Sequence, residues 1–483
     1  MGSPLNILIA ASEVHPFAKT GGLADVCGAL PKALKRLGHN VKVILPLYGC
    51  VNLSQYNLKQ NSETVSVPVG PHKKEAVLFE GELAPGVSVI FVGRKEYFDR
   101  EHLYGPPGKA YSDNAERFIF FSRALIETCK AIKFKPDIIH CNDWQTGLVP
   151  VYLKILYNYD SFFRKTRTIF SIHNLGYQGE FDRNNLPVAN LPFSLFNPAE
   201  VESFGDFNFL KSALVYSDLL TTVSKTYSQE ILTPEHSFRM EGILNSRKNE
   251  LFGITNGIDY SEWGPEKDPW IAKHFSPTNP GGKLACKNAL LEHYKLKADN
   301  SRPIVCMVTR LTPQKGIDLV IEAFEHSLLK DFLFVLIGSG DSRYEEYLRT
   351  HKGSQLGVYI GFDEPLAHRI LAGSDFVLMP SIYEPCGLTQ MQAMKYGTVP
   401  ITSSVGGLKD TVQQYDIKTG EGLGFKFSPY GLEFFHQSVL EALGIFRDKK
   451  HWQQVVQNCL KADFGWDRSA SEYERVYRIA LTR

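Results

Sequence analysis

No Cys-x-x-Cys pair occurs in the 483 residues, although eight cysteines stand at positions 27, 50, 129, 141, 286, 306, 386 and 459. That spacing excludes zinc ribbons and thioredoxin-type redox motifs, which need two thiols a few residues apart. It fits reduced thiols in a reducing compartment. Net charge is equally scarce: 53 Lys plus Arg against 52 Asp plus Glu leaves +1. No global field therefore gathers DNA, RNA or anionic lipid, and any anion site must be local. No apolar run approaches the roughly 18 residues a membrane span needs, and no charged-then-apolar leader precedes the first strand-like run. Short-period repeats and low-complexity tracts are missing, which excludes solenoids. Two nucleotide signatures are absent as well. There is no Gly-x-x-x-x-Gly-Lys-Ser/Thr, and Gly338-Ser339-Gly340 continues into Asp341-Ser342-Arg343 instead of reaching a third glycine, so P-loop and dinucleotide readings lose ground.

What is present is apolar and aromatic: 43% hydrophobic residues, with 31 Phe and 22 Tyr against 22% charged, the composition of an ordered globular chain. The length is about three typical domains, and two domains are the first expectation. Short apolar runs alternate with amphipathic helical stretches, the pattern of parallel strands with crossover helices. Strands are predicted over 7–10, 41–45, 138–140, 168–172 and 219–223, and over 304–308, 332–337, 358–360, 376–379 and 399–402. Two α/β doubly wound sheets follow. Between them lies a turn-rich stretch carrying Pro265, Pro269, Pro277, Pro280 and Gly281-Gly282, which places the hinge near 260. The reading is thus a first domain over 1–260, a second over 261–465, and a helical tail over 466–483 that crosses back to the first.

Several polar segments fall just beyond strand ends, where doubly wound sheets bind ligands. Lys19-Thr20-Gly21-Gly22-Leu23-Ala24-Asp25-Val26 lies between the first strand and a helix that stops at Gly38. Its glycines admit a close ligand, and amides at a helix start favour phosphate. Arg310 and Lys315 flank Leu311-Thr312-Pro313-Gln314 after another strand, and two cations there could neutralise a diphosphate leaving group. Ser381 to Thr389 repeats the geometry, with Glu384 on the turn and a helix expected near Gly387. Asn142-Asp143-Trp144-Gln145 and His173-Asn174-Leu175-Gly176-Tyr177-Gln178-Gly179 add aromatic and polar groups together, a combination that suits sugar rings. Taken singly, each has a plain alternative. Lys19 could be a solvated cation, Glu384 a carboxylate complementing a helix dipole, Trp144 a core side chain and His173 a satisfied structural histidine.

Together and in this order, these segments and Thr255-Asn256-Gly257 resemble the bacterial glycogen synthase and plant starch synthase family over nearly the whole chain. The resemblance implies a GT-B glycosyltransferase fold, two Rossmann-like doubly wound domains facing a deep cleft that closes. It implies a retaining transfer of glucose from ADP-glucose to the 4-hydroxyl at the non-reducing end of an α-1,4-glucan. By that likeness the catalytic set is Lys19, His173, Arg310, Lys315 and Glu384. Arg310 and Lys315 would hold the diphosphate, with Lys19 and Gly22 meeting it from the opposite wall. Glu384 and the amides of Cys386, Gly387 and Leu388 would meet the glucose hydroxyls, with Thr389 beside the phosphates. Asp143, His173 and Asn256 would line the sugar site, Asp25 and Phe362 would belong to the donor site with Phe362 against the adenine, and Glu13, Trp144 and Tyr177 would face the acceptor. No metal and no cofactor are implied beyond the donor itself. The implied partners are a nucleotide sugar and a glucan or malto-oligosaccharide, with no nucleic acid and no membrane; oligomeric state has no signature here. The implied location is a bacterial cytoplasm, or a plastid stroma or starch granule after loss of a transit peptide. Three positions depart from common patterns: Gln392 stands where a ribose-binding Glu is frequent, Gln145 where His is common, and Phe362 where some members have Tyr. The rival readings are a UDP-glucose-dependent retaining transferase, a catalytically silent glucan-binding scaffold, and a phosphorylase, which would need a pyridoxal-binding lysine.

Overall fold

An apolar run without polar alternation suits a strand buried on both faces, and Asn6–Ala10 (β1) is one, with Ile7, Leu8, Ile9 and Ala10 wholly shielded from solvent. In a computed structural model, which describes residues 3–106, 108–296 and 301–483, β1 lies at the centre of a nine-stranded sheet. The chain divides into two units: one runs up to Asn256 and includes Trp466–Arg483, the other is Gly257–Gly465. The first crossing therefore falls a few residues before the expected hinge near 260.

In the first unit the strands after β1 are β2 (Asn40–Pro46), β3 (Lys59–Val69), β4 (His72–Ala84), β5 (Val87–Gly93), β6 (Ile138–Asn142) and β7 (Arg167–Ile172). They continue with β8 (Glu180–Phe181), β9 (Glu202–Ser203), β10 (Asp206–Asn208), β11 (Leu219–Thr222) and β12 (Leu251–Gly253). The large sheet runs β12-β11-β7-β6-β1-β2-β5-β4-β3, while β8-β10-β9 form a small separate sheet. Pairing is parallel from β12 through β5 and antiparallel for β5-β4-β3. The antiparallel β3-β4-β5 end was not among the predicted strands. The outer part of β3 is polar and solvent-facing, and no helix separates the three strands, so the strand-then-helix pattern used to find the others does not extend there. The last helix, Trp466–Leu481, packs within the first unit: the Tyr477 hydroxyl is 2.8 Å from Nδ1 of buried His140.

In the second unit β13 (Ile304–Val308), β14 (Leu333–Gly338), β15 (Leu356–Ile360), β16 (Phe376–Met379), β17 (Val399–Ser403) and β18 (Phe425–Phe427) form one parallel sheet in the order β15-β14-β13-β16-β17-β18. Its core joins Ile304, Cys306, Val335, Ile370 and Met379 from sheet and helices. Each of the ten predicted strands coincides with an observed one to within two residues at its ends.

Strand order fixes where ligands can bind. In the first sheet the chain moves outward from β1 to β2 in one direction and from β6 to β7 in the other, so order reverses between β1 and β6. In the second it reverses between β13 and β16. At such a switch point the two following loops diverge and leave a crevice beyond the strands' carboxyl ends. The sequence segments around Glu13 and Asp143 follow β1 and β6, and those around Arg310 and Glu384 follow β13 and β16.

Candidate functional site

The first unit contributes a loop and two short turns. The Gly22–Arg36 helix begins directly after Gly21, carries Lys35 and Arg36 in its last turn, and is closed by Gly38 at φ +94°, an arrangement that places cations at the negative end of the helix dipole and a glycine in the left-handed stop. Lys19 Nζ lies 2.7 Å from Asp25 Oδ1, both half-buried, which joins the loop to that helix. Gly22 is exposed at the helix start. Glu13, expected to face the acceptor, is instead turned into its own loop. It is buried, and its oxygens accept from the Thr20 amide and hydroxyl, the Gly21 amide and the Tyr104 hydroxyl. Burial raises its carboxyl above the usual range.

Asp143 follows β6 at φ +57°, a left-handed conformation that is uncommon away from glycine and clusters at functional sites. Its Oδ1 accepts the His173 amide at 2.8 Å, and burial pushes the carboxyl up to about 7 against that bond. The His173 ring, partly accessible at the end of β7, has Nε2 2.9 Å from Asn142 Oδ1. Burial of the ring lowers its value to about 3, so it is a neutral imidazole at physiological pH. Asn142, Tyr104 and Ser12, whose hydroxyl meets that of Tyr104 at 2.7 Å, complete this side; Tyr104 and Ser12 were not singled out by sequence. Asn142 was visible beside Asp143; Tyr104 had no local signal, since its partners lie about 90 residues away.

Trp144 is placed differently from expectation. Its ring meets Phe118 edge-on at 5.0 Å and Phe181 at 5.6 Å, and a side chain on Gly179 would strike it at 2.4 Å. The half-buried indole packs against these rings and against Gly179, whereas Tyr177 in the same segment is 49% exposed. Asn256, after β12, is buried with Oδ1 lacking a hydrogen-bond partner among the described residues, and the same holds for Oε1 of Gln145. A buried acceptor left open is costly.

In the second unit, Lys315 ends a short turn over Pro313–Lys315, and its Nζ lies 2.6 Å from Glu384 Oε2. Ser381 donates its hydroxyl to the same oxygen at 2.9 Å, and Glu384 is 5% exposed. The loops bearing these residues are tied together: Ile382 N–H donates to Gln314 O at 2.9 Å and Gln314 Nε2 to Tyr383 O at 3.1 Å. Arg310 stands exposed just after β13. The Gly338-Ser339-Gly340 segment finds its reason here. A side chain on either glycine would meet Thr309 O at 1.9 Å or Leu311 O at 2.3 Å, so both let the Arg310 segment lie against the end of β14. Gly387 sits at φ +71°, and the following helix spans Thr389–Lys395, starting two residues later than expected from Gly387. Cys386 is buried, Gly387, Leu388 and Thr389 half-buried, and Gln392 is buried on the helix. Phe362, 73% exposed, projects from the turn after β15. Among the described residues no group of three or more His, Cys, Asp or Glu is arranged to hold a metal ion, and no helix is long and apolar enough to cross a membrane.

Each unit gathers polar groups at its own switch point: buried carboxyl and imidazole groups in the first, cations and loop amides in the second. Comparison with known proteins identifies the family. A family profile described as "Starch synthase catalytic domain" matches residues 6–246, and one described as "Glycosyl transferases group 1" matches 291–429. A glycogen synthase of Koribacter versatilis (strain Ellin345) is 45% identical over 479 residues, covering 99% of this chain and 98% of the relative. A glycogen synthase of Geotalea daltonii is 43% identical over 483 residues, covering 99% of each. Among solved structures, the catalytic domain of starch synthase IV from Arabidopsis thaliana, bound to ADP and acarbose, matches with a TM-score of 0.93 at 34% identity over 100% of both chains. A sucrose-phosphate synthase from Thermosynechococcus elongatus, at TM-score 0.60 and 18% identity over 99% of both chains, shares the fold. On full-length identity and family profiles alike, the chain belongs to the glycogen and starch synthase family of GT-B glycosyltransferases.

Proposed function

We propose that the chain transfers glucose from ADP-glucose to the non-reducing-end 4-hydroxyl of an α-1,4-glucan, retains the α configuration and releases ADP, without metal or further cofactor. Family membership supports the reaction class, and the Lys315–Glu384 pair beside Arg310 at the second switch point is the observation that carries the donor chemistry. Arg310 and Lys315 receive the diphosphate. Its oxygens compete with Glu384 for Lys315, which frees the Glu384 carboxylate to accept from glucose hydroxyls. The amides of Cys386, Gly387 and Leu388 and the Thr389 hydroxyl add neutral donors, and Phe362 supplies a ring face for the adenine.

The C1–O bond to the β-phosphate breaks, the diphosphate oxygen takes the proton of the acceptor 4-hydroxyl, and that hydroxyl oxygen bonds to C1 on the face the diphosphate left. No paired carboxylates of the retaining-hydrolase type are required, and stabilising the departing charge is the main catalytic work. Lys19 and Gly22 add a cation and an amide for phosphate, Asp25 orients Lys19, and Asp143, neutral His173 and Asn256 supply polar contacts to the transferred sugar. Tyr177 offers a stacking surface to the glucan.

The test supplies ADP-glucose or UDP-glucose with a malto-oligosaccharide primer and follows nucleotide release and chain length together. Chain extension matched by ADP release, faster than with UDP-glucose, is expected. No release with either donor despite glucan binding would sink the reading and favour a silent glucan-binding scaffold.

A further inference from the structure

Glu13 is 4% exposed, yet both its oxygens are engaged. They accept from the Thr20 amide, the Thr20 hydroxyl at 2.7 Å, the Gly21 amide at 3.3 Å and the Tyr104 hydroxyl at 2.7 Å. Three of these donors are the immediate neighbours of Lys19 and Gly22. The backbone in between is wound around the carboxylate: Val14 N–H donates to Ala18 O at 3.0 Å, Phe17 N–H to Val14 O at 2.9 Å, and His15 N–H to Ala24 O at 3.0 Å. The fourth donor comes from a different loop. Tyr104 belongs to the 101–105 segment, which with Lys19 and Thr20 lines a cavity of about 490 Å³ in the first unit. A buried carboxylate among neutral donors is a costly way to fill space. Only an acceptor with two oxygens can hold two successive amides, a side-chain hydroxyl and a phenol at once.

We propose that Glu13 is a positioning residue: its carboxylate fixes the Thr20 and Gly21 amides so that Lys19 and Gly22 are presented in one geometry, and through Tyr104 it links that loop to the wall of the adjoining cavity. The proposal rests on Lys19 acting as a phosphate-facing cation. It differs from the expectation that Glu13 touches the acceptor. A loop placed wrongly by an ångström loses roughly 10²-fold in rate, so the clamp acts on turnover through Lys19 without itself meeting substrate.

Hydrogen–deuterium exchange on the free protein reads the clamp without any turnover. Glu13→Gln, which keeps the volume, and Glu13→Ala are both expected to speed exchange of the Thr20 to Gly22 amides at least tenfold, while peptides from β6 and β13 stay unchanged and Tyr104→Phe shows a smaller increase. Unchanged exchange at those amides in both Glu13 variants overturns the proposal, whatever the donor. With ADP-glucose and a primer, Glu13→Ala is expected to lower kcat roughly 10²-fold at constant glucan KM. Glu13→Ala combined with Lys19→Ala is expected to be no slower than the slower single variant, because both remove one function. Losses that multiply overturn the clamp, and a raised glucan KM at unchanged kcat returns Glu13 to a direct acceptor contact. If the wild type turns over neither nucleotide sugar, the proposed function has failed, and the exchange result still decides the clamp.

Discussion

Each unit places a lysine and a carboxylate at its switch point, but the two pairs are built differently. In the first unit Lys19 meets Asp25 six residues away on the same loop and helix, while the buried carboxyls nearby, Glu13 and Asp143, are held by neutral amides and hydroxyls. In the second, Lys315 meets the buried Glu384 directly, across 69 residues of sequence. A carboxylate facing only neutral donors is pushed toward its protonated form by burial. One facing a cation has its charge balanced until a competing anion arrives. The first unit therefore holds polar groups under desolvation, and the second holds a closed ion pair, which under the proposed function a diphosphate would open.

Breaking the second unit's cations gives the largest expected effect. Lys315→Ala or Arg310→Ala should lower kcat roughly 10²- to 10³-fold, by analogy with loss of one oxyanion donor, and near-normal turnover of both would remove them from the mechanism. On the first unit the contrast is sharpest in stability. The Asp143 carboxyl lies at about 7 in the folded protein, above its ordinary 3.8, so folding favours the protonated form. That contribution is whole below about pH 4 and is lost as pH rises through about 7. Asp143→Asn should accordingly be more stable than wild type at pH 8 by roughly 2–4 kcal/mol, with the gap in Tm closing toward pH 4 and activity falling as stability rises. A variant less stable at pH 8 would show that its amide bonds outweigh its burial.

A smaller effect is expected at the exposed Phe362. Loss of stacking in Phe362→Ala should raise the donor KM roughly 5- to 20-fold with kcat kept, and an unchanged KM would place the base elsewhere. The smallest is an absence. With His173 held at about 3 by burial, its ring resonances should not shift between pH 5 and 9. A titration near 6.5 would mean that the imidazole is charged by function.

Much of this organisation was legible in the chain itself. β1, β2, β6, β7 and β11 in the first unit and all but β18 in the second were found because a strand buried on both faces must be an unbroken apolar run. The polar segments after them were found because residues spaced in sequence by one strand and one helix return to the same end of a parallel sheet. The Gly21-Gly22 turn and the Arg310–Lys315 segment needed nothing more. β3 and β4 escaped because half-exposed antiparallel strands carry polar residues and need no crossover helix; β5, a buried apolar run parallel to β2, carried the signal and was passed over. The acceptor roles expected of Glu13 and Trp144 met a different obstacle. The type of each residue was plain, but the direction of its side chain was set by Tyr104 in one case and by Phe118, Phe181 and Gly179 in the other. Sequence alone determined which chemistry-bearing residues stand at the strand ends, because that follows from local pattern and chain order. Tertiary structure alone decided which of them pair, which are buried and which face outward, because a hydrogen bond between residues 13 and 104, or 315 and 384, exists only once packing has brought distant loops within 3 Å.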